Sequence, residues 1–469
     1  MNRREFMMNT AFWAAMPTVA AAQQTATANK PPVPPDDNPL RYPVKPLAIK
    51  TSRELTVAVV GAGSRGNVYP AYGKKFPGTM KVVAVADINP YRRDRMGDQW
   101  GIPAERRFND YRDLLKAGEN GKLADILLVT LPDHLHYDAA MKGMDQGYDM
   151  LVEKPMAQTE KECRDLLAKQ RETGRIVGLG HVLRYAPYYV AMKSAIDRGL
   201  IGEIMSIQHT ELVDKIHTSH SYVRGNWRNS KIATPMILSK CCHDLDIIRW
   251  FIGKRCTHAS AEGEQRYFIA KNHPEGAPAR CTDGCPHEKN CPYSSIRIYV
   301  KNRSWTAPLD PPPNATEEQM MEKLRASPYC RCVFACDNDQ PEQYAAALRF
   351  ENGVSVAFSY EALSPVGQRR TRVIGTKGML EGGGIGFRFT ELATGKYWDW
   401  NMKVQDVPGY ELSGHGGGDL RLMRDFLVAV DTRDPSALTS TLEASLESHL
   451  IGFACEESRL TGRKVAVRV

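Results

Sequence analysis

Thr56-Val57-Ala58-Val59-Val60-Gly61-Ala62-Gly63-Ser64-Arg65-Gly66 is the stretch that decides the fold. Its first five residues are a continuous β-branched and apolar run, the pattern of a parallel strand buried on both faces. The run feeds directly into G-x-G-x-x-G. There Gly61 makes the tight turn, Gly63 lets the backbone approach a pyrophosphate, and Gly66 lets the next helix pack closely on the strand. Ser64 and Arg65 begin that helix, whose free N–H groups face the phosphates. A glycine motif alone is a weak signal, so the second strand matters. Lys81-Val82-Val83-Ala84-Val85-Ala86 ends at Asp87, 21 residues after Gly66. A carboxylate there accepts both ribose hydroxyls of an adenosine and repels a 2′-phosphate, so the expected cofactor is NAD, with NADP disfavoured. Arg92 and Arg93 lie close by and work against that preference.

A third unit follows. Asp125-Ile126-Leu127-Leu128-Val129-Thr130 reads as a strand, and Leu131-Pro132-Asp133-His134-Leu135-His136 as the loop at its carboxyl end, where open α/β sheets bind ligands. A helix over 137–146 leads to Met150-Leu151-Val152 and then Glu153-Lys154-Pro155.

The chain has 469 residues, enough for two domains once a leader is set aside. A hydrophobic fraction of 42% and a charged fraction of 25% are those of an ordinary globular protein. Part of the net charge of +8 sits in the leader and no long Lys/Arg block follows, so no nucleic-acid partner is expected. Asn2-Arg3-Arg4-Glu5-Phe6-Met7-Met8 resembles a twin-arginine export signal, with Ala20-Ala21-Ala22 as cleavage site. The apolar stretch between them is too short and too polar to span a membrane. No Cys near the cleavage site invites a lipid, so no membrane anchor is expected and the mature protein belongs in the periplasm. The expected layout is a signal peptide over 1–22 and a Pro-rich tether over 23–54.

Glu153-Lys154-Pro155 resembles the hallmark of the glucose–fructose oxidoreductase, inositol dehydrogenase and rhizopine-catabolism (Gfo/Idh/MocA) family. Pro132 and His136 resemble that family's T-P-N-x-x-H loop, although Leu131 stands where Thr is usual and Asp133 where Asn is usual. Gly180-His181, Arg184 and Pro187 resemble the opening of its second domain, Gly199-Leu200-Ile201-Gly202-Glu203-Ile204 its G-x-I-G-x-I turn, and Cys242-His243-Asp244-Leu245-Asp246 its H-x-x-D helix. The resemblance implies an α/β protein: a Rossmann domain over 55–178, then a substrate and oligomerisation domain over 179–469 with a large, open, mostly antiparallel sheet. It also implies a nicotinamide between the two, a small carbohydrate substrate and a homo-oligomer. Pro132, His136, Glu153 and Lys154 fall on the cofactor side; His181 and Arg184 fall on the substrate side. Removing hydride from an alcohol carbon leaves a hydroxyl proton to be accepted. Lys154, its pKa lowered beside a cationic nicotinamide, and His243 are the expected acid–base pair. Relatives carry an Asp four residues before the histidine. Here Ser239 stands there, so Lys240 is a third catalytic candidate.

Three other stretches bear on substrate and stability. Tyr222-Val223-Arg224-Gly225-Asn226-Trp227-Arg228 offers Trp227 for the apolar face of a pyranose and Arg228 for its hydroxyls. Ser413-Gly414-His415-Gly416-Gly417-Gly418-Asp419 presents His415 and Asp419 either as a substrate-side wall or as a turn with Asp419 capping the next helix. Six of the 11 cysteines cluster in a polar segment over about 273–340: Cys281, Cys285, Cys291, Cys330, Cys332 and Cys336. A structural role is expected there, with disulfides and a metal both open; no catalytic metal is assigned. The leading expectation is NAD-linked hydride transfer at a sugar or polyol hydroxyl by an exported enzyme that holds its cofactor tightly. The alternative is an NAD-dependent glycosidase working by transient ring oxidation, elimination and re-reduction. Ser239 alone favours a third reading, a sugar-binding protein on a retired scaffold.

Overall fold

The computed structural model describes residues 38–402 and 414–468. The leader, the first part of the tether and Ser413 lie outside the described residues. The first sheet contains β1 (Leu55–Val60), β2 (Met80–Ala86), β3 (Arg107–Phe108), β4 (Ile126–Val129), β5 (Asp149–Val152) and β6 (Val177–Leu179). Its order is β3-β2-β1-β4-β5-β6, and every pair is parallel. Helices cover both faces, which is why β4 and β5 are buried at every residue. The strand order reverses between β1 and β4, paired through Val60 and Val129. The carboxyl ends of these two strands therefore border the crevice where a doubly wound sheet holds its ligand.

The second sheet has nine strands: β7 (Ile204–Asp214), β8 (Cys256–Glu264), β9 (Gln343–Phe350), β10 (Ser355–Ser364), β11 (Gln368–Gly375), β12 (Gly378–Gly383), β13 (Gly386–Glu391), β14 (Tyr397–Asn401) and β15 (Val465–Ala466). They lie in the order β14-β13-β12-β11-β7-β10-β9-β8-β15. All neighbours are antiparallel except β7 and β10. Strict alternation marks one covered and one open face. In β9, Tyr344, Ala346, Leu348 and Phe350 point inward while Gln343, Ala345, Ala347 and Arg349 point out. The inward set packs with the helices Pro187–Asp197 and Cys242–Ile252 in one core.

The last two helices do not stay with the second sheet. Gly414–Thr432 places Leu420, Met423, Phe426 and Leu427 in one cluster with Val57, Val59, Ile126 and Leu128 of the first sheet. Leu442–Thr461 sends Leu442, Leu446 and Leu450 to the opposite face of that sheet, and Ile451, Ala454 and Cys455 to the core of the second. The C-terminal segment thus completes the N-terminal domain, an exchange that a single boundary along the sequence does not express. Between β8 and β9, residues 265–342 form an insertion with two small apolar clusters, to which Val223 and Ile216 from the segment after β7 contribute. None of the cysteines is joined in a disulfide. No described helix is long and apolar enough to cross a membrane.

Candidate active site

The glycine turn has the shape a dinucleotide requires. Gly61 has φ +92°, and a Cβ there would lie 2.5 Å from the Thr130 carbonyl oxygen. A Cβ at Gly66 would strike the Gly61 carbonyl, whereas one at Gly63 meets nothing within 4 Å. The backbone is closed where strand and helix meet and open where a pyrophosphate must lie. Ser64 is exposed at the same turn. Asp87 is fixed at the end of β2: one carboxylate oxygen accepts from the Ala62 N–H at 2.7 Å and the other from the Asn89 N–H at 2.8 Å. The two nearby arginines are committed elsewhere. Arg92 Nε donates to Asp310 of the insertion at 2.9 Å, and Arg93 Nε to Asp94 at 2.8 Å. Asn89 Nδ2 also donates to Asp310, at 2.8 Å.

Arg65 does not face the phosphates. Its Nε donates to Glu153 at 2.6 Å, while its terminal nitrogen reaches Tyr69 at 2.6 Å and Asp419 at 3.0 Å. Burial works to raise the Glu153 carboxyl, but the Arg65 charge and the Tyr69 hydroxyl outweigh it and hold it below its ordinary value. Asp419 is opposed by burial in the same way, yet its bond to His415 and the charge of Arg65 bring it to about 2. Glu153 is therefore ionised, and with Arg65 it forms a strut between the glycine turn, the end of β5 and the helix Gly414–Thr432. His136 is likewise structural. Its ring is buried, with Nδ1 2.7 Å from the Pro155 carbonyl and Nε2 2.8 Å from the Leu131 carbonyl, so it ties the Pro132 loop to the Lys154–Pro155 turn.

Lys154, at the end of this turn, donates from Nζ to the Ser239 carbonyl oxygen at 2.6 Å. Lys154 thus takes a main-chain acceptor at Ser239, whose own hydroxyl is buried without a hydrogen-bond partner. His243 begins the helix Cys242–Ile252; it is 4% exposed, and its Nδ1 has no hydrogen-bond partner. Burial first, then the charge of Lys154, hold His243 well below the ordinary imidazole range, so it is neutral. Its ring lies 5.7 Å from that of His415 and 5.9 Å from that of His181. Lys240 forms an ion pair with Glu211 at 3.0 Å.

Three expected substrate ligands turn out to be committed to the scaffold. The Arg184 guanidinium is spent on Asp246 at 2.6 and 2.7 Å and on the Thr439 carbonyl at 2.6 Å. His181 is fully buried, with Nδ1 3.0 Å from Asp246. Arg228 pairs with Asp337 of the insertion at 2.7 Å. Trp227 spends its indole N–H on Asp133 at 3.0 Å, joining the second domain to the loop after β4. Asp419 and His415 are brought to the site, since His415 Nδ1 lies 3.0 Å from Asp419.

The sequence reading missed a second layer. Glu211 also pairs with Arg369 at 3.0 Å, Arg369 with Asp244 at 2.6 Å, and Asp244 with His209 at 2.9 Å. His217 faces the same group: burial, then Lys240 and Lys154, push its pKa down to about 2. A signal was present. In β7 the inward positions read Ile207, His209, Glu211, Val213, and polar residues on the buried phase of an alternating strand ask for partners.

Comparison with known proteins agrees with this construction. Residues 55–181 match the oxidoreductase-family NAD-binding Rossmann fold of Gfo/Idh/MocA proteins, and residues 193–467 match the C-terminal α/β domain of the same family. The chain belongs to the Gfo/Idh/MocA oxidoreductase family, and its first domain is an NAD-binding domain. YteT of Bacillus subtilis, classed as an oxidoreductase, is 24% identical over 70% of this chain and 78% of its own length. The inositol 2-dehydrogenase/D-chiro-inositol 3-dehydrogenase of Lactiplantibacillus plantarum is 28% identical over 42% of this chain. The chain spans about half the length of that relative, 52%. Among solved structures, an inositol dehydrogenase homolog of Azotobacter vinelandii complexed with NADH and myo-inositol superposes with a TM-score of 0.63. It is 16% identical, over 89% of this chain and 98% of that one. A levoglucosan dehydrogenase with NADH and levoglucosan gives 0.63 at 17% identity, over 89% and 100%. At these identities the structures establish the fold.

Proposed function

We propose that this chain transfers hydride between NAD and a secondary hydroxyl of a polyol or sugar, and that it does so outside the cytoplasm with its cofactor tightly held. The observation that carries the reading is the pairing at the crevice of a Lys154 ammonium, oriented by the Ser239 carbonyl, with a neutral His243 whose Nδ1 is free. NAD, when bound, supplies the hydride acceptor. Lys154 has three donors and spends one on Ser239, leaving two for the substrate oxygen, where they stabilise negative charge as the hydroxyl proton departs. His243 Nδ1 accepts that proton. The carbon–hydrogen pair leaves as hydride, so the alcohol becomes a carbonyl with all atoms accounted for. Lys240, held by Glu211, stands ready for a neighbouring hydroxyl. The polyol and anhydrosugar ligands of the relatives support the substrate class. The Arg3-Arg4 leader pattern supports export. The open face of the second sheet, with Met205 and Ile374 exposed, supports packing of a second copy.

The test is mass spectrometry of the denatured protein for NAD, followed by a polyol and sugar screen read by NADH absorbance. Substrate-dependent NADH formation is expected. Release of an aglycone with no net NADH would overturn the dehydrogenase reading in favour of the glycosidase. Retention of a sugar with no turnover would overturn both. For export, replacing Arg3 and Arg4 with Lys should leave the protein in the cytoplasm, and unchanged export would remove that part of the proposal.

A further inference from the structure

The insertion has no assigned role, and it holds the feature that the chemistry of the crevice does not use. Its chain is folded so that distant cysteines meet. Arg280 and Arg331 form an isolated antiparallel bridge. Around it the Cys281 N–H donates to the Cys330 carbonyl at 2.7 Å and the Cys332 N–H to the Ala279 carbonyl at 2.8 Å. Cys281, Cys285, Cys291 and Cys332 then line one cavity that is partly open to solvent. The remaining two cysteines of the cluster turn away from it. Cys330 Sγ lies 3.0 Å from the Ser327 carbonyl, and Cys336 Sγ 3.2 Å from the Cys332 carbonyl.

Six cysteines in one insertion with no disulfide among them need another reason to be there. Arg224 supplies a second, independent observation. It is fully buried and lines the same cavity. Its Nε donates to the Arg331 carbonyl at 2.6 Å and one terminal nitrogen to the Tyr293 carbonyl at 2.7 Å. That same nitrogen reaches Cys281 Sγ at 3.8 Å, and its other terminal nitrogen has no partner. Glu288 lies on the same cavity wall, yet Arg224 forms no ion pair among the described residues, and a buried guanidinium without a counter-charge is costly. An anionic group among the four sulfurs would balance it and accept its N–H groups.

A single ion does not fit. Tetrahedral zinc with four thiolates holds its sulfurs about 3.8 Å apart, from a Zn–S bond of about 2.3 Å. Among the described residues no three His, Cys, Asp or Glu groups converge as one ion requires. Four cysteines that line one cavity without converging on a single point suit a multi-atom centre. We propose that Cys281, Cys285, Cys291 and Cys332 ligate an iron–sulfur cluster, with Arg224 donating hydrogen bonds to its sulfurs. Each thiol gives up its proton on binding iron, and the resulting negative charge is what Arg224 neutralises. Four thiolates are the usual ligand set of such clusters, and hydrogen bonds to sulfur are a main control of their potential. The apolar side of the site, Val333 and Phe334 with Tyr293 and Phe268, limits access of water.

The experiment is metal and acid-labile sulfide analysis of the full chain purified under anaerobic conditions, before and after reconstitution with ferrous iron and sulfide. Iron and sulfide are expected in near-equal amounts, about two or four of each per chain, with visible charge-transfer absorbance. Cys285→Ser and Cys291→Ser should lose most of that absorbance, while Cys330→Ser and Cys336→Ser should keep it. Should a ligand variant fail to fold, the metal content of the unaltered chain decides alone. Zinc without sulfide, a chain that takes up neither iron nor sulfide, or loss of the absorbance in Cys336→Ser as complete as in Cys285→Ser would each overturn the proposal.

Discussion

Asp310 belongs to the insertion, yet it acts on the cofactor side. By holding Arg92 and Asn89 it occupies a cation that could greet a 2′-phosphate, and Asp87 adds repulsion. Asp310→Ala should free Arg92 and narrow the gap between NAD and NADP, measured as the ratio of their dissociation constants. Asp87→Ser should narrow it further by weakening NAD. A wild type that already prefers NADP would contradict both expectations. At the reacting centre, Lys154→Ala and His243→Ala should each lower turnover by roughly two decades, the scale of a general acid–base group, with NAD still bound because the Gly61–Gly66 turn is untouched. Since His243 is held far below the ordinary imidazole range, its loss should act at neutral pH, with no gain on going alkaline. Loss of NAD binding in step with turnover would reassign these residues to the cofactor site.

Among the elements, the start of the helix Gly414–Thr432 is tightly specified. His415, Gly416 and Gly417 all have positive φ, and a Cβ at Gly418 would strike the Val182 carbonyl. Gly418→Ala must push two backbones apart, and about 1–3 kcal/mol of destabilisation is expected from overpacking, read by chemical unfolding. An unchanged midpoint would mean that the turn relaxes freely. This element also shows how far the sequence could be read. The β1 turn was legible because its strand, glycines and acid lie within a few dozen residues and answer to local rules. The helix that follows Asp419 was legible as a helix, but its partner was not. Its apolar stripe names no surface, and the residues it packs on, Val57 and Leu128 among them, lie hundreds of residues away. The same limit applies to Arg184 and His136. Their residue types suit ligands, and only the positions of Asp246 and the Pro155 carbonyl reveal them as struts.

At the scale of the whole molecule, acid stability carries the signature of buried neutral histidines. Burial and nearby cations bring His220 to about 4, His449 to about 3 and His217 to about 2. Their folded pKa values lie below the ordinary value of about 6.5, so the unfolded chain binds more protons in the interval between. Their contribution to stability is fully present above about pH 6.5 and is lost as pH falls from there toward the folded values, at up to about 1.4 kcal/mol per pH unit for each group. Urea unfolding between about pH 5 and 7 should show this slope. His449→Gln should flatten it, because a glutamine can still serve the Met156 N–H and the Ser445 carbonyl that His449 bridges at 2.9 and 2.8 Å. A slope unaffected by that change would mean that His449 is protonated in the folded chain.

The return of the two C-terminal helices to the first sheet also sets an order of events on the ribosome. When residue 180 has been joined, the glycine turn and all six parallel strands exist as sequence. The side of the sheet carrying Val57, Val59, Ile126 and Leu128 is covered only in part, by Tyr69, Tyr72 and Met96, until Leu420 to Leu427 are made. At about 5–20 residues per second that wait lasts roughly 12–50 s. The nascent domain must spend it shielded, by a chaperone or by loose collapse, and a nucleotide has no finished pocket to enter until the chain is nearly released. A fragment ending at residue 180 should therefore aggregate when expressed alone, and adding residues 414–468 as a separate peptide should restore its solubility.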